Sequence, residues 1–391
     1  MTNVHSRTVG AAAELHEEAA RNTGLTDFGT DDYSEALDVL LRSLDSEAGL
    51  NDVGRATMRR RILGVLETRL RAQQALDRNP GHRDVPIERP MFVTGLPRTG
   101  TTALHRLLAA DPRHQALELW LGDAPQPRPR REEWPASPDY RRTERLMDER
   151  RKLSPEINGV HFQDAEAVEE CLRLERQTFR SGEYVALSWI PGYVEYTLGR
   201  DLTPVYERHR ALLQLIGLND QDKRWVLKYP GHLFGLDELL AAYPDAIIVQ
   251  THRDPRTIVA SVCSLSRIAS KSLSDTFGSE LVGKANYRWW SEGIDRGLAA
   301  RERYGADRFV DVYYHDFVRD PVGAVESIYE RCGAELSDES RAAIAEAHAL
   351  SLTGERKPSH RYDLADFGLD ADEVGKRFGA YLDAFPAVVR N

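Results

Sequence analysis

One feature limits the folds that this chain can adopt more than any other. It is a short apolar strand that runs directly into a glycine-rich loop and then into an apolar helix. The sequence MFVTG, residues 91–95, predicts a buried strand, and the loop GLPRTGTT occupies residues 95–102. Leu104, Leu107 and Leu108 then recur at the spacing of one helix face. Glycine permits the tight turn that such a loop needs, and the free N–H groups at the helix start favour an anion. The stretch therefore predicts a phosphate site on a fold of strands and helices.

The spacing of the loop matches a nucleotide-binding P-loop except at one position. Gly95, Gly100 and Thr102 stand where that motif requires them, but Thr101 occupies the place of the lysine. That lysine would bridge the terminal phosphates of a nucleoside triphosphate, and no strand pattern here ends in the apolar run and aspartate that would hold magnesium. The loop therefore favours a smaller anion, held by Arg98, backbone N–H groups and two threonine hydroxyls. The alternative is an ordinary strand-to-helix turn capped by threonine.

Three further strand patterns alternate with helical stretches along the chain. They are RWVLKYPGH, AIIVQTHRDP and RFVDVYY. This alternation predicts a parallel sheet covered by helices. The predicted fold class is α/β, a P-loop-NTPase-like three-layer fold with a small parallel sheet and extensive helical additions. Residues 1–88 are predicted to form an N-terminal helical segment packed on the core, and residues 89–391 the α/β domain.

The overall charge and the cysteine pattern argue against several classes of protein. The formal net charge is −10, whereas nucleic-acid-binding proteins are generally basic, so no nucleic-acid partner is expected. No apolar run approaches the roughly 20 residues of a transmembrane helix, and the N-terminus lacks the pattern of a signal peptide. Cys171, Cys263 and Cys332 lie far apart and match no metal-binding spacing, which favours a reduced cytoplasmic location and no bound metal. Whether the chain forms a homo-oligomer is left open.

Two motifs together resemble the sulfotransferases that use 3′-phosphoadenosine 5′-phosphosulfate (PAPS) as sulfuryl donor. GLPRTGTT resembles the family's 5′-phosphosulfate loop, and IIVQTHRDPRTIVAS resembles its 3′-phosphate motif, in which an arginine follows a strand and a serine follows eight residues later. Arg253 and Ser261 hold those positions, and the resemblance to the bacterial branch of the family extends over roughly residues 90–380. It implies that the donor contacts both residues and the loop residues Pro97, Arg98, Thr99, Gly100, Thr101 and Thr102.

The resemblance also implies which residues stabilise the group in transfer. Cytosolic members of the family carry a lysine at the position of Arg98, where it contacts the leaving phosphate. They also carry a Lys-x-His pair at the end of an intervening strand, and WVLKYPGH supplies Lys228 and His232 there at a wider spacing. Lys228 is then expected to contact the sulfuryl group, and His232 is a candidate base because its ordinary pKa suits proton transfer near neutral pH.

A second candidate for the base lies in a cluster of glutamates between residues 166 and 170. Glu166, Glu169 and Glu170 share helical spacing with Arg173, and relatives that sulfate sugars use a carboxylate as base. Glu170 is therefore a catalytic candidate beside His232. The other interpretation of this pattern is a solvated helix face.

A late basic segment, ERKPSHRYD at residues 355–363, resembles the segment that closes over the 3′-phosphate in members of the family. It supplies Arg356, Lys357 and Arg361. Aromatic residues between 183 and 196 either line an apolar acceptor pocket or pack in the core.

The sequence thus predicts a PAPS-dependent sulfotransferase that acts on a hydroxyl of a small-molecule, lipid or sugar acceptor and releases the desulfated donor, PAP. The alternatives are a P-loop kinase or NTPase, and a non-catalytic nucleotide-binding protein with a sulfotransferase-like fold.

Overall fold

The computed structural model describes residues 8–153, 164–353 and 362–389 of the chain. Within these ranges a five-stranded sheet lies at the centre. Its strands are β1 (Met91–Gly95), β2 (His114–Gln115), β3 (Arg224–Lys228), β4 (Ile247–His252) and β5 (Phe309–Tyr313). All are parallel, and they stand in the order β2-β3-β1-β4-β5. The predicted fold class, a small parallel sheet with many added helices, is confirmed.

The central strand β1 explains where ligands can approach. It is buried along its whole length, and it pairs with β3 at Phe92↔Leu227 and with β4 at Gly95↔Thr251. A parallel strand that is covered on both faces is a continuous apolar run, as MFV is here. Because β1 lies between β3 and β4, the residues that follow these three strands meet at one edge of the sheet. Open α/β sheets bind their ligands at this edge.

Helices cover both faces of the sheet and extend well beyond it. In the described ranges the α-helices are α1 (Ala12–Thr23), α2 (Ser34–Ser46), α3 (Asp52–Arg78), α4 (Thr101–Ala109), α5 (Leu119–Asp123), α6 (Pro138–Leu153), α7 (Leu172–Glu175), α8 (Pro191–Leu198), α9 (Thr203–Ile216), α10 (Leu236–Ala242), α11 (Pro255–Ala269), α12 (Ser279–Tyr304), α13 (Tyr314–Arg319), α14 (Pro321–Arg331), α15 (Asp338–Leu352), α16 (Ala371–Arg377) and α17 (Gly379–Ala384). Short 3-10 helices occur at Pro80–Asp84, Arg131–Ala136, Arg176–Thr178, Gly217–Asn219, Pro230–Phe234, Ala306–Arg308, Leu364–Phe367 and Pro386–Val389.

Each face of the sheet has its own apolar cluster. Val93 of β1 belongs to a cluster with Leu104 of α4, whereas Phe92 belongs to a larger one that includes Leu66 of α3 and Leu213 of α9. The larger cluster contains residues from both sides of position 88, so the N-terminal helices and the sheet share one apolar interior. The domain boundary between residues 88 and 89 stays a prediction.

Two buried arginines fix the segment that follows α7. Arg69 of α3 is fully buried, pairs with Asp32 at 2.6 Å and donates to the carbonyl oxygen of Gln177 at 2.9 Å. Arg208 of α9 donates from Nε to the side-chain oxygen of Gln177, also at 2.9 Å. Hydrogen bonds from charged donors are stronger than neutral ones. The backbone just after Glu175 is therefore held firmly against the N-terminal helices.

Membrane crossing needs a long and continuously apolar helix. Among residues 8–153, 164–353 and 362–389, no helix meets both conditions. The cytoplasmic location stays a prediction.

Candidate active site

Three predicted segments meet at one edge of the sheet. Residues 96–100 form the loop after β1, Lys228 ends β3, and Arg253 follows the last residue of β4. They are neighbours because β1 pairs with both β3 and β4. An anion loop and two cations therefore lie side by side, and this edge is the candidate active site.

The loop between β1 and α4 has the left-handed backbone that the glycine pattern predicts. Gly95 has φ 132° and Gly100 has φ 91°. A Cβ atom added to Gly95 would lie 2.4 Å from the carbonyl oxygen of Thr251, so only glycine lets β1 and β4 approach this closely. Arg98 also has a positive φ, 69°, a backbone conformation that residues other than glycine rarely adopt. This backbone permits the loop to turn its N–H groups toward an anion.

The threonines of the loop differ in what their hydroxyl groups reach. Thr99 is buried, and its Oγ1 donates to a carbonyl oxygen within the loop at 2.6 Å and lies 2.5 Å from Oγ1 of Thr251. Thr101 is also buried, whereas Thr102 is half-buried and accepts a hydrogen bond from Nζ of Lys228 at 3.3 Å. Thr99 therefore holds the shape of the loop, and Thr102 faces the cation.

The two predicted phosphate motifs meet through Arg98, Arg253 and Ser261. Arg253 donates from Nη1 to the carbonyl oxygen of Arg98 at 2.9 Å, and Arg98 donates from Nε to Oγ of Ser261 at 3.3 Å. The guanidinium of Arg253 also lies 4.0 Å from the ring centre of Tyr314, the first residue of α13. Arg98 is exposed and Arg253 half-buried. This cluster of donors matches what phosphate oxygens accept.

The C-terminal helix α17 anchors the strand end that carries Arg253. His252, fully buried, lies with Nε2 2.8 Å from Oδ1 of Asp311 in β5 and with Nδ1 3.1 Å from the hydroxyl of Tyr381. Its ring centre is 4.0 Å from that of Phe385. The sequence does not predict the contacts of Tyr381 and Phe385, because no local pattern links the C-terminal region to a strand more than a hundred positions earlier.

Lys228 and Glu170 form an ion pair beside the loop. Nζ of Lys228 lies 2.5 Å from Oε1 of Glu170, and the lysine side chain is only 2% exposed whereas that of Glu170 is 23% exposed. The backbone N–H of Cys171 donates to the carbonyl oxygen of Lys228 at 2.9 Å and so fixes the segment that carries Glu170. A buried cation with a more accessible carboxylate is an arrangement suited to proton abstraction and charge stabilisation.

His232 lies inside the protein rather than at the open edge. Its side chain is 0% exposed, its ring meets Phe92 edge-on at 5.1 Å, and its Nδ1 is 3.0 Å from the hydroxyl of Tyr206. Burial, and then the charges of His209 and Lys228, lower the pKa of His232 well below its ordinary value. The ring is therefore not exposed at the sheet edge.

The predicted helical face across residues 166–173 is wrong, because the helix there begins only at Leu172. The preceding backbone is extended alongside another segment: Glu169 N–H donates to the carbonyl oxygen of Leu117 at 2.7 Å, and Leu119 N–H donates to that of Ala167 at 2.9 Å. These tertiary hydrogen bonds replace the local helical ones.

The three glutamates of this cluster therefore lie in different surroundings. Glu166 pairs with Arg131 at 2.5 Å near the surface, and Glu169 lies 3.8 Å from Arg173. Only Glu170 contacts Lys228.

The remaining predictions have different outcomes. Tyr184 and Tyr193 are fully buried in the larger apolar cluster, so they pack in the core, whereas Trp189 and Tyr196 lie at its margin. The late basic residues lie outside the described residues; they are Arg356, Lys357 and Arg361.

Comparisons with known proteins point to one family. A family model described as "Sulfotransferase family" matches residues 90–338. The crystal structure of sulfotransferase STF1 from Mycobacterium tuberculosis H37Rv superposes with a TM-score of 0.89 at 47% identity, covering 96% of this chain and 100% of that one. Sulfotransferase STF9 from Mycobacterium avium superposes with a TM-score of 0.87 at 27% identity, covering 98% of each chain.

A curated relative is more distant. The "Omega-hydroxy-beta-dihydromenaquinone-9 sulfotransferase Stf3" of Mycobacterium bovis is 27% identical over 268 residues. The match covers 62% of this chain and 62% of that relative, so it spans less than two thirds of the relative's length.

Proposed function

The chain belongs to the sulfotransferase family, and from this premise we propose that it transfers a sulfuryl group from PAPS to a hydroxyl oxygen of an acceptor. The observation that carries the proposal is the ion pair of Lys228 and Glu170 beside the anion loop. A protein that only binds nucleotides needs the phosphate donors but no carboxylate next to them. Here the same edge of the sheet supplies phosphate donors, a cation and a base.

The donor's two ends are bound by different segments in this proposal. The loop N–H groups at the start of α4, with Thr101 and Thr102, hold the 5′-phosphosulfate. Arg253 and Ser261 hold the 3′-phosphate. Arg98 forms hydrogen bonds with both of these residues, and it lies between the 3′-phosphate and the 5′-phosphosulfate. Pro97, Thr99 and Gly100 shape the loop, and the basic segment with Arg356, Lys357 and Arg361 stays a candidate contact for the 3′-phosphate.

The transfer breaks the bond from sulfur to the bridging oxygen and forms a bond from sulfur to the acceptor oxygen. The acceptor's proton passes to Glu170, and negative charge develops on the bridging oxygen, which leaves with PAP. Lys228 stabilises that charge, and Arg98 binds the leaving phosphate. Since Lys228 and Glu170 are paired at 2.5 Å before substrates bind, each exchanges its partner for a substrate atom. The reaction in this form needs no metal.

Glu170, rather than His232, is the base in this proposal. A base must come within hydrogen-bond distance of the proton it takes. The Glu170 side chain is accessible at the sheet edge, whereas the His232 ring is wholly buried. His232 then has a packing role.

The acceptor is a small-molecule, lipid or sugar hydroxyl. The name of the curated relative specifies a hydroxylated menaquinone derivative, which favours a lipid-like acceptor for this chain as well. A kinase or NTPase is disfavoured, because Thr101 stands where the lysine of a nucleoside-triphosphate loop would be.

PAP is expected to raise the thermal stability of the protein, because a ligand that binds only the folded state stabilises it by mass action. At 100 times its dissociation constant the gain is about 2.7 kcal/mol. Thermal denaturation is measured with PAP, with 5′-AMP, which lacks the 3′-phosphate, and with ATP plus magnesium. Stabilisation by ATP plus magnesium but not by PAP contradicts the proposal, and PAP binding without turnover on a broad acceptor panel favours a non-catalytic binder.

Arg253→Ala is expected to weaken PAP binding by about 10- to 100-fold, because Arg–phosphate hydrogen bonds are charge-assisted. Calorimetry with PAP and with 5′-AMP isolates the effect, since the variant loses PAP affinity but keeps its weaker affinity for 5′-AMP. Arg256→Ala is the matched control: Arg256 lies three positions on and pairs with Asp254 at 2.6 Å. Unchanged PAP affinity in Arg253→Ala refutes the 3′-phosphate assignment.

A further inference from the structure

A small cavity lies directly behind the candidate active site. It has a volume of about 20 Å³, room for roughly one water molecule, and it is not fully enclosed. Its lining includes Glu175, Ser181, Tyr206, Tyr229 and Trp289. We call it the Glu175 cavity. Two of the lining residues are close in sequence to the candidate active site. Tyr229 follows Lys228, and Glu175 ends the helix that begins just after Glu170.

Polar atoms in the walls of this cavity have no hydrogen-bond partner among the described residues. They are Oε1 of Glu175, Oγ of Ser181, Oγ1 of Thr197 and Nε of Arg180. Oε1 of Glu175 lies 3.2 Å from Nδ1 of His232 but makes no hydrogen bond. Glu175 and Ser181 are only 5% and 4% exposed. Buried polar atoms almost always have partners, so four unpartnered ones on the residues around one space favour a polar occupant.

The Glu175 side chain is a hydrogen-bond donor at neutral pH. Burial, and then the negative charge of Glu170, raise the pKa of Glu175 to about 8. A protonated carboxyl group donates through its O–H. With the hydroxyl groups of Ser181 and Thr197 and the Nε–H of Arg180, the lining residues then offer unpartnered donors, which suits an oxygen that accepts hydrogen bonds.

The charges around the cavity disfavour an ionic occupant. An anion beside Glu175 would meet the same burial and the same Glu170 charge that keep Glu175 itself protonated. An ammonium group would face Arg180 and Arg296, which line the other side. The lining also has an apolar part, which includes Trp289 and Phe234, whose rings stack on each other at 4.3 Å between ring centres. The matching occupant is an uncharged oxygen on an apolar, planar scaffold.

We infer that the Glu175 cavity is an acceptor subsite, which selects acceptors whose far end is an uncharged carbonyl or hydroxyl oxygen, bound by Glu175 and Ser181. The inference rests on the proposed function, since it assigns the far end of the molecule whose hydroxyl Glu170 deprotonates. The acceptor's oxygen takes the place of a water molecule in the cavity, and a group that keeps that water's hydrogen bonds loses no affinity by displacing it.

Three naphthols with one shared hydroxyl test the inference. They are 2-naphthol, 6-acetyl-2-naphthol, which adds a neutral carbonyl, and 6-hydroxy-2-naphthoate, which adds a charge of similar size. Binding to the protein is measured by calorimetry with and without PAP. We expect 6-acetyl-2-naphthol to bind about tenfold more tightly than 2-naphthol, and the naphthoate to bind more weakly than either.

Variants test whether the cavity causes this order of naphthol affinities. Glu175→Leu is expected to abolish the advantage of the acetyl group and to leave 2-naphthol binding within about twofold. Glu175→Gln keeps a donor and should retain most of the advantage. Should Glu175→Leu fail to fold, Ser181→Ala tests the same cavity and reduces the advantage severalfold. Glu195→Gln, at a side chain that is 74% exposed, is the control and leaves all three affinities unchanged.

The outcomes separate this inference from the proposed function. Equal binding of the acetylated and plain naphthols, or an advantage that persists in Glu175→Leu, overturns the inference and leaves a structural water as the occupant. So does an absence of 6-acetyl-2-naphthol binding. Failure of PAP to bind, or of any acceptor to be sulfated, contradicts the proposed function, while the order of naphthol affinities still decides the chemistry of the cavity.

Discussion

Replacing Glu170 with glutamine is expected to lower kcat by about 10²- to 10⁴-fold, the contribution of a positioned general base. The amide keeps the size of the side chain and can still accept a hydrogen bond from Lys228, but it takes up no proton. PAP affinity should change little, because the donor phosphates contact the loop and Arg253 instead. Turnover is measured with radiolabelled PAPS and an acceptor found by screening, and PAP affinity by calorimetry.

Glu166→Gln is the matched control for this experiment. Glu166 comes from the same glutamate-rich segment, but it pairs with Arg131 and accepts from the hydroxyl of Tyr140 rather than meeting Lys228. Its replacement should leave kcat within about twofold, as is usual for an exposed ion pair. Near-normal turnover of Glu170→Gln would move the base to another residue, and His232→Gln would then be the variant to examine.

Lys228→Met is expected to lower kcat by about 10²- to 10³-fold, the usual effect of removing one group that stabilises developing charge. Methionine keeps much of the side-chain volume, so the buried position stays filled while the charge is lost. Because the charge on the bridging oxygen appears only as the bond to sulfur breaks, kcat should fall far more than PAP affinity. A loss confined to PAP affinity would make Lys228 a binding residue instead.

Two further measurements strengthen this test. The double variant Glu170→Gln with Lys228→Met should lose much less activity than the product of the single losses, since residues that act as a unit are not additive. Lys223→Met is the control: Lys223 precedes the opposite end of β3 and pairs only with Asp220 at 3.1 Å in the described ranges. Its turnover should match that of the unchanged protein.

The donor side of the site could be predicted from sequence because its determinants are local. A strand, two glycines and a helix face specify the loop without reference to the rest of the chain, and the second motif specifies Arg253 and Ser261 in the same way. The parallel sheet follows from the alternation of strands and helices, and it then brings both motifs to one edge. The contacts among Arg98, Arg253 and Ser261 agree with this prediction.

Lys228 and Glu170 could be named as candidates from the sequence, but the contacts that bring the residues of the acceptor side together are tertiary and could not be predicted. Glu170 meets Lys228 through a segment held by hydrogen bonds to Leu117 and to Lys228 itself, and helical periodicity misrepresents that segment. His232 has the residue type of a base, but only burial reveals that its ring is inaccessible. Glu175 and Ser181 have no sequence signal at all, since their importance comes from unpartnered atoms around a cavity.

The left-handed backbone of Arg98 lowers the thermal stability of the protein, and in the proposed function the same residue helps to bind the donor. A residue with a side chain at φ 69° costs roughly 1–2 kcal/mol compared with glycine, and that cost lowers the stability of the free protein. If the loop binds the donor as proposed, this fixed backbone means that little affinity is lost to ordering it. Glycine at this position would make a more heat-resistant protein without the guanidinium group. Selection for robustness alone would therefore remove Arg98, and its presence marks a position where stability is subordinate to function.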